Sequence, residues 1–272
     1  MKKEVIISEF SGYCYGVERV MDLVDKNPGT NTLGPVIHNP GIIRQLEGNG
    51  HYVISDVKDA TGKVVVRAHG VPKHVKEEAR TLGLKLIDGT CPYVSSEQKY
   101  AQMLNKDGYQ VVIIGRKGHP EIEGVKSYAD NPIIISTLEE ARQLGYFEKL
   151  GVVVQTTMQQ NIFWNIADEL KAHCKELMIR NTICDDTEKR QKAALDLATK
   201  VDLMIVVGGF NSSNTRHLND LCSGLVDSYH VETESDLKEE WFLGKDKIGI
   251  SAGASTPAET IESVKKYIEG MD

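Results

Sequence analysis

DGTCPYVSSEQKYAQMLNKDGYQVVIIGRKGHPEIEG (residues 88–124) contains, in order, a cysteine, a helical stretch, a short apolar run and a polar cluster. QVVII (110–114) is brief, rich in Val and Ile, and barely alternates. That is how a parallel strand buried on both faces reads. His119, Pro120 and Glu121 follow it. The same succession occurs twice more, from Cys14 to His38-Asn39 and from Cys184 to Asn211-Ser212-Ser213-Asn214. Twenty-four residues separate Cys14 from His38, and 28 separate both Cys91 from His119 and Cys184 from Ser212. A second polar cluster then appears in each case: His69-Gly70, Thr156-Thr157 and Ser255-Thr256. Recurrence at this spacing marks an internal repeat.

The rest of the chain agrees with that period. Further apolar runs lie at EVIIS (4–8), KVVVR (63–67), PIIIS (132–136), GVVVQ (151–155), DLMIVV (202–207) and KIGIS (247–251). Helical stretches are expected over 95–108, 159–177, 187–200 and 256–270. Strands alternating with helices predict α/β units with right-handed crossovers. Three similar units are expected, at 14–90, 91–183 and 184–272. The last lacks a final strand, which the N-terminal segment 1–13 can supply. No Pro/Ser-rich linker interrupts the chain, so one packed body is expected.

Composition narrows the function. Among 272 residues, 32 Lys and Arg against 39 Asp and Glu give a net charge of −7. That argues against a surface built for nucleic-acid phosphates, though a local pocket can still take a small anion. No apolar run approaches the ~20 residues of a membrane span. MKKEVIISEF is too short in its apolar part for a signal peptide, so a cytoplasmic protein is expected.

Five cysteines are an odd number for a disulfide framework, and none forms a C-x-x-C pair. Cys174 and Cys222 sit in helical patterns and read as core. Cys14, Cys91 and Cys184 follow strand runs, as do the six polar clusters. Ligands of parallel sheets bind beyond the carboxyl ends of the strands. Three repeats would therefore aim three thiols and about ten polar groups at one cavity. Three thiolates suit a soft metal, zinc or an iron–sulfur cluster. Structural zinc takes four ligands, so three cysteines leave a position open. The plain alternative is three small buried residues.

His38, His69 and His119 stand just past strands and can donate to an anion. His51, His74, His173, His217 and His230 lack counterparts in the repeat and read as surface or packing residues. Asn211, Ser212, Ser213, Asn214 and Ser255 add neutral donors. Asn-Ser-Ser-Asn is also an N-cap pattern, and helix starts bind phosphate through the same N–H groups. No P-loop and no full G-x-G-x-x-G occurs, so ATP and NAD are not indicated. Glu121 is the one carboxylate inside a cluster. It reads as a proton donor in a desolvated cavity, or as a first-turn Glu that favours the helix dipole.

GYCYGVERV (12–20), VIHNP (36–40), AHGV (68–71), DGTCP (88–92), GHPEIEG (118–124), QTT (155–157), NSSN (211–214) and SAGAS (251–255) together resemble the LytB family of 4-hydroxy-3-methylbut-2-enyl diphosphate reductases. The resemblance runs from about residue 4 to 270. It implies an α/β cloverleaf of three similar domains around a central [4Fe–4S] cluster, held by Cys14, Cys91 and Cys184 with one iron open to substrate. It implies diphosphate binding by His38, His69, Ser212, Ser213, Asn214 and Ser255. His119, Glu121 and Thr156 would lie at the reacting hydroxymethyl group, as catalytic and substrate-binding residues, with Thr157 beside them. The implied reaction is reductive dehydroxylation to isopentenyl and dimethylallyl diphosphate, the last step of the methylerythritol phosphate route. Electrons would come from an external carrier of ferredoxin or flavodoxin type. The stretch CDDTEKRQ (184–191) departs from the family's usual small, Thr-containing sequence and places Asp185 and Asp186 after the third cysteine.

Two rival readings bear on the same residues. A three-cysteine dehydratase resembling quinolinate synthase would need arginines for carboxylates, and Arg67 and Arg116 lie near clusters. A non-catalytic redox sensor would leave Glu121 and the anion-binding groups without a role.

Overall fold

The computed structural model of the chain describes residues 3–37 and 40–271, without the side chains of Pro40 and Ser213. His38, expected to bind the diphosphate, therefore lies outside the described residues. So does the side chain of Ser213.

β1 (Glu4–Ile7) precedes Cys14, and α1 (Tyr15–Asp25) follows it at once. Then come β2 (Asn31–Leu33), α2 (Pro40–Gly48), β3 (Tyr52–Ile54), β4 (Lys63–Val66), α3 (Lys73–Thr81) and β5 (Lys85–Asp88). Cys91 opens α4 (Pro92–Lys106), followed by β6 (Gln110–Ile114), α5 (Pro120–Lys126), β7 (Ile133–Ile135), α6 (Leu138–Arg142), β8 (Phe147–Val154), α7 (Gln160–Leu170) and β9 (Cys174–Arg180). Cys184 opens α8 (Asp185–Ala198), followed by β10 (Leu203–Val207), α9 (Ser213–Ser223), β11 (Ser228–Val231), β12 (Lys247–Ala252) and α10 (Ala258–Glu269).

The strands form three four-stranded sheets, ordered β3-β2-β4-β5, β7-β6-β8-β9 and β11-β10-β12-β1. Every pairing is parallel. The order is the same in each sheet. In the third, β1 takes the edge place that β5 and β9 take in the others, with Glu4–Ile7 in register against Lys247–Ile250.

The described residues form two compact bodies. One spans Met1–Glu18, Ile37–Arg44 and Asp185–Asp272 and holds the third sheet. The other spans Arg19–Val36 and Gln45–Cys184 and holds the first and second.

Burial on both faces explains the non-alternating strands. In the second sheet Val112, Ile114, Val152 and Val154 pack with Phe163, Ile166 and Leu170 of α7. Val111, Ile113 and Val153 point the other way, onto Ala101 and Leu104 of α4 and Ile122 and Val125 of α5. The third sheet repeats the plan. Leu203, Ile205 and Val207 meet Ile261, Val264 and Ile268 of α10, while Met204 and Val206 meet Ala194 and Leu197 of α8 and Leu218 of α9. Each fully buried aliphatic side chain contributes roughly 1.5–3 kcal/mol, so a strand with only one covered face would forfeit much of its stabilisation. Among the described residues no helix is long and apolar enough to cross a membrane.

One expectation is corrected. The helix over 159–177 stops at Leu170, a short 3₁₀ turn follows at Lys171–His173, and Cys174 begins β9. Pairing with β8, in register from Phe147 opposite Cys174, overrides the local helical pattern. Cys174 is core all the same: it is buried, and its thiol donates to the Leu170 carbonyl at 3.4 Å.

Candidate active site

Three cysteines stand at equivalent points of the repeat. Each lies one residue before a helix, at α1, α4 and α8. Each backbone N–H donates to a carbonyl two residues past the third strand of its sheet. The pairs are Cys14 to Ala254 (3.0 Å), Cys91 to Ala68 (2.9 Å) and Cys184 to Thr156 (2.8 Å). Ala68, Thr156 and Ala254 follow the ends of β4, β8 and β12 at that same distance along the chain. Backbone hydrogen bonds thus fasten each cysteine to the loop that carries a second polar cluster. His119 and Ser212 occupy a second equivalent point, five residues past β6 and β10, and each is the N-cap of the next helix.

In the body that holds the second sheet, the predicted residues meet. His69 and His119 are in edge-to-face contact, ring centroids 5.5 Å apart. His119 Nδ1 accepts the Glu121 N–H at 3.3 Å. Glu121, 1% exposed, accepts the Thr156 N–H at 2.7 Å. Gln155 joins the two loops further: its Oε1 accepts from the Arg116 N–H (2.9 Å) and its Nε2 donates to Thr157 Oγ1 (3.3 Å). Gly70 has φ +72°, and a Cβ there would meet Gln98 Nε2 at 2.7 Å, so the turn beside His69 requires glycine. Glu123 points to the surface and pairs with Lys126.

Burial pushes the Glu121 carboxyl above its ordinary value, while its contacts with Thr156 and Glu97 pull the other way. Glu97, on α4, was missed in the sequence. It is fully buried, and burial, reinforced by the neighbouring Glu121, raises its carboxyl well above the usual carboxylate range. A signal was available: Val94, Glu97, Ala101 and Leu104 form one helical stripe, all buried. A glutamate within that stripe is a charge placed in the core.

In the body that holds the third sheet, Ser212 and Ser255 lie on neighbouring loops. Ser212 Oγ accepts the N–H (3.2 Å) and hydroxyl (2.9 Å) of buried Thr215. The Gly253 N–H and the Thr256 hydroxyl both donate to the Val207 carbonyl, at 2.9 and 3.0 Å. A Cβ at Gly253 would collide with Thr215, so the loops after β10 and β12 close on one another only with glycine there. Asn214 is exposed and Ser255 half-buried, both open to a ligand. Cys14 lies beside Asp186 and Arg190 of α8. Burial pushes its thiol up first of all, and Asp186 adds to that while Arg190 opposes it. Arg190 pairs with Asp186 at 3.1 Å and donates to the Ala252 carbonyl at 3.0 Å.

Three further histidines hold the fold. His51 bonds the Thr30 hydroxyl (3.1 Å), His173 the Leu144 carbonyl (2.8 Å) and His230 the Gly208 carbonyl (2.8 Å). Cys222 is fully buried in α9, where burial drives its thiol up to about 11.

Among the described residues, no three His, Cys, Asp or Glu side chains gather as they would around a single metal ion. An iron–sulfur cluster asks for something else, because its thiolates attach to different irons. The donors fit that demand. All five cysteines are thiols, and three begin helices whose N–H groups and dipole favour a thiolate. The desolvated Cys14 thiol is of the kind that a bound cation deprotonates.

Known proteins match the whole chain. A family model described as LytB protein matches residues 5–269. A Geobacter sulfurreducens protein named 4-hydroxy-3-methylbut-2-enyl diphosphate reductase is 41% identical, over 99% of this chain and 98% of its own. An Aquifex aeolicus protein of the same name is 39% identical, over 98% and 96%. A solved structure titled as that reductase, the terminal enzyme of the non-mevalonate pathway, superposes with a TM-score of 0.79 at 38% identity, covering 99% of this chain and 100% of the other. The Plasmodium falciparum reductase gives 0.87 at 29% identity, over 98% and 88%. With its three parallel sheets, its repeated cysteines and these full-length matches, the chain belongs to the LytB family.

Proposed function

We propose that this chain reduces 4-hydroxy-3-methylbut-2-enyl diphosphate to isopentenyl and dimethylallyl diphosphate. The observation that carries the reading is the match along residues 5–269 to a family whose curated members bear that activity in their names. Membership implies an iron–sulfur cofactor. Cys14, Cys91 and Cys184 are the residues that would hold it, as a [4Fe–4S] cluster. Such a cluster, when bound, supplies electrons and one open iron as a Lewis acid. On the same reading the three repeats, 14–90, 91–183 and 184–272 with the N-terminal strand, are three domains in a cloverleaf about it.

The reaction consumes two electrons and two protons, breaks one C–O bond, forms one C–H bond and releases water. The diphosphate is not cleaved, so it serves as the binding handle. Donors at His38, His69, Ser212, Ser213, Asn214 and Ser255 suit it. Their hydroxyl, amide and imidazole N–H groups can hold an anion without a divalent cation. Glu121 carries the proton for the departing oxygen, since hydroxide is a poor leaving group. Thr156 fixes Glu121 through its amide and offers a hydroxyl to the reacting end. His119 holds the first turn of α5 in place and contributes a second polar group there, with Thr157 alongside. Electrons enter from an external ferredoxin or flavodoxin in the cytoplasm.

The deciding assay is anaerobic: iron-loaded protein, the hydroxymethylbutenyl diphosphate and a chemically reduced dye, with products resolved by chromatography. Formation of both five-carbon diphosphates supports the reading. Iron-loaded protein that leaves the substrate intact refutes it.

A further inference from the structure

Glu97 is a fully buried carboxyl with no catalytic part in the reading above, and it faces Glu121 across the packed helices α4 and α5. Neither oxygen of Glu97 has a hydrogen-bond donor within reach. Glu121 Oε1 is already occupied by the Thr156 N–H. Two ionised carboxylates in this position would be two acceptors without a donor between them, both withdrawn from water. A single proton removes the conflict, because a neutral carboxylic acid donates one O–H and its partner accepts it. Burying an unpaired carboxylate is otherwise so costly that the group takes up a proton instead.

The surroundings offer no other compensation. On α5 the remaining charged side chains, Glu123 and Lys126, pair with each other at the surface, and His119 accepts the Glu121 N–H. On α4 itself Lys99 is exposed, and on β8 Lys149 lies near Glu176 and over the Tyr109 ring, at the strand's far end. Among the described residues no cation acts on either carboxyl; Glu121 is the one charged group that acts on Glu97.

We propose that Glu97 is a positioning residue for Glu121: the two side chains hold one proton between them in an O–H···O bond, so that Glu121 always has a proton at hand. The transfer is balanced. One O–H bond breaks on Glu97 as one forms on Glu121, and Glu97, sealed from water, regains its proton through Glu121 once water refills the site after product release. Two coupled carboxyls release their last proton at higher pH than either would alone, because full ionisation puts two like charges side by side.

Two measurements on the iron-loaded protein test this. The first is infrared spectroscopy in D₂O at neutral pD, which reads the carbonyl stretch of a neutral carboxylic acid. Wild type should show the band, and Glu97→Gln should lose it. The second is the pH profile of turnover. Glu97→Gln keeps shape and a donor to Glu121 but cannot supply a proton, so the alkaline limb should move to lower pH by roughly one unit or more. A merely structural Glu97 would alter stability and leave that limb in place. The profile rests on the reading of Glu121 as proton source; the band does not, so failure of one reading is distinguishable from failure of the other. A band that survives Glu97→Gln and vanishes in Glu121→Gln overturns the shared proton. An unmoved alkaline limb overturns the positioning role. If Glu97→Gln does not fold, wild type alone decides: a spectrum with no neutral-acid band sinks the proposal.

Discussion

The Thr156 amide donates to Glu121 Oε1 at 2.7 Å, and the Thr156 carbonyl accepts from the Cys184 amide at 2.8 Å. One peptide residue thus links the proposed proton source to a proposed cluster ligand. On the proposed reading, a single turn of chain after β8 fixes the proton source relative to that ligand.

That linkage sets the first expectation. Glu121→Gln keeps the size and the acceptor for Thr156 but carries no transferable proton. Turnover should fall about 10²–10⁴-fold, the usual worth of a positioned general acid. Bound iron and substrate affinity should hold, and Glu123→Gln, altered at the surface, should be mild. Steady-state kinetics with iron quantification check all three.

Serine in place of Cys14, Cys91 or Cys184 should sharply lower bound iron and activity. Serine in place of Cys222 should keep the iron. It should cost roughly 1–3 kcal/mol in stability, because a hydroxyl replaces a thiol in a site closed to water. Equal iron loss in all four variants would contradict the assignment of ligands.

Gly70→Ala places a side chain at φ +72°, against Gln98 and Thr90. The left-handed conformation alone costs on the order of 1–3 kcal/mol, and the clash adds to it. Urea denaturation should show the loss. Because His69 is the preceding residue, KM for the diphosphate should rise more than kcat falls.

Stability should also depend on pH through Glu97. Its folded value lies well above the ordinary 4.5, so the native state keeps a proton that the unfolded chain has released. That contribution is complete below the unfolded value and is lost as pH rises through the folded one. The urea midpoint of wild type should therefore fall relative to Glu97→Gln as pH rises from the ordinary glutamate value of 4.5 upwards. A constant difference across that range would show that Glu97 is ionised in the folded state.

EDTA should leave turnover of iron-loaded enzyme unchanged, since the proposed diphosphate donors are hydroxyls, amides and imidazoles. Strict dependence on added magnesium would mean that a carboxylate-held cation bridges the phosphates.

Much of this was legible because buried parallel strands advertise themselves. QVVII and DLMIVV fill both faces of their sheets with apolar side chains, so neither run alternates. Strands of three residues, such as Asn31–Leu33 and Tyr52–Ile54, carry too little periodicity to register and exist because their neighbours pair with them. Cys174 misled for the same reason, its strand being set by β8 rather than by its own residues. The polar clusters could be read since they follow strands in a fixed order. Glu97 could not be read by that rule. It belongs to no cluster and lies mid-helix, where its place in the apolar stripe of α4 is the only sign of its burial and the packing of α4 on α5 supplies its partner.

The three cysteine tethers are made of peptide N–H and C=O groups, and a peptide group is indifferent to the side chain it carries. The acceptor residues could therefore diverge without moving the thiols: alanine at 68 and 254, threonine at 156. Holding falls to a carbonyl that every residue at the acceptor position carries, and chemistry to the side chain. A fold copied three times could in this way keep its three anchors alike while one copy alone acquired a hydroxyl at that position.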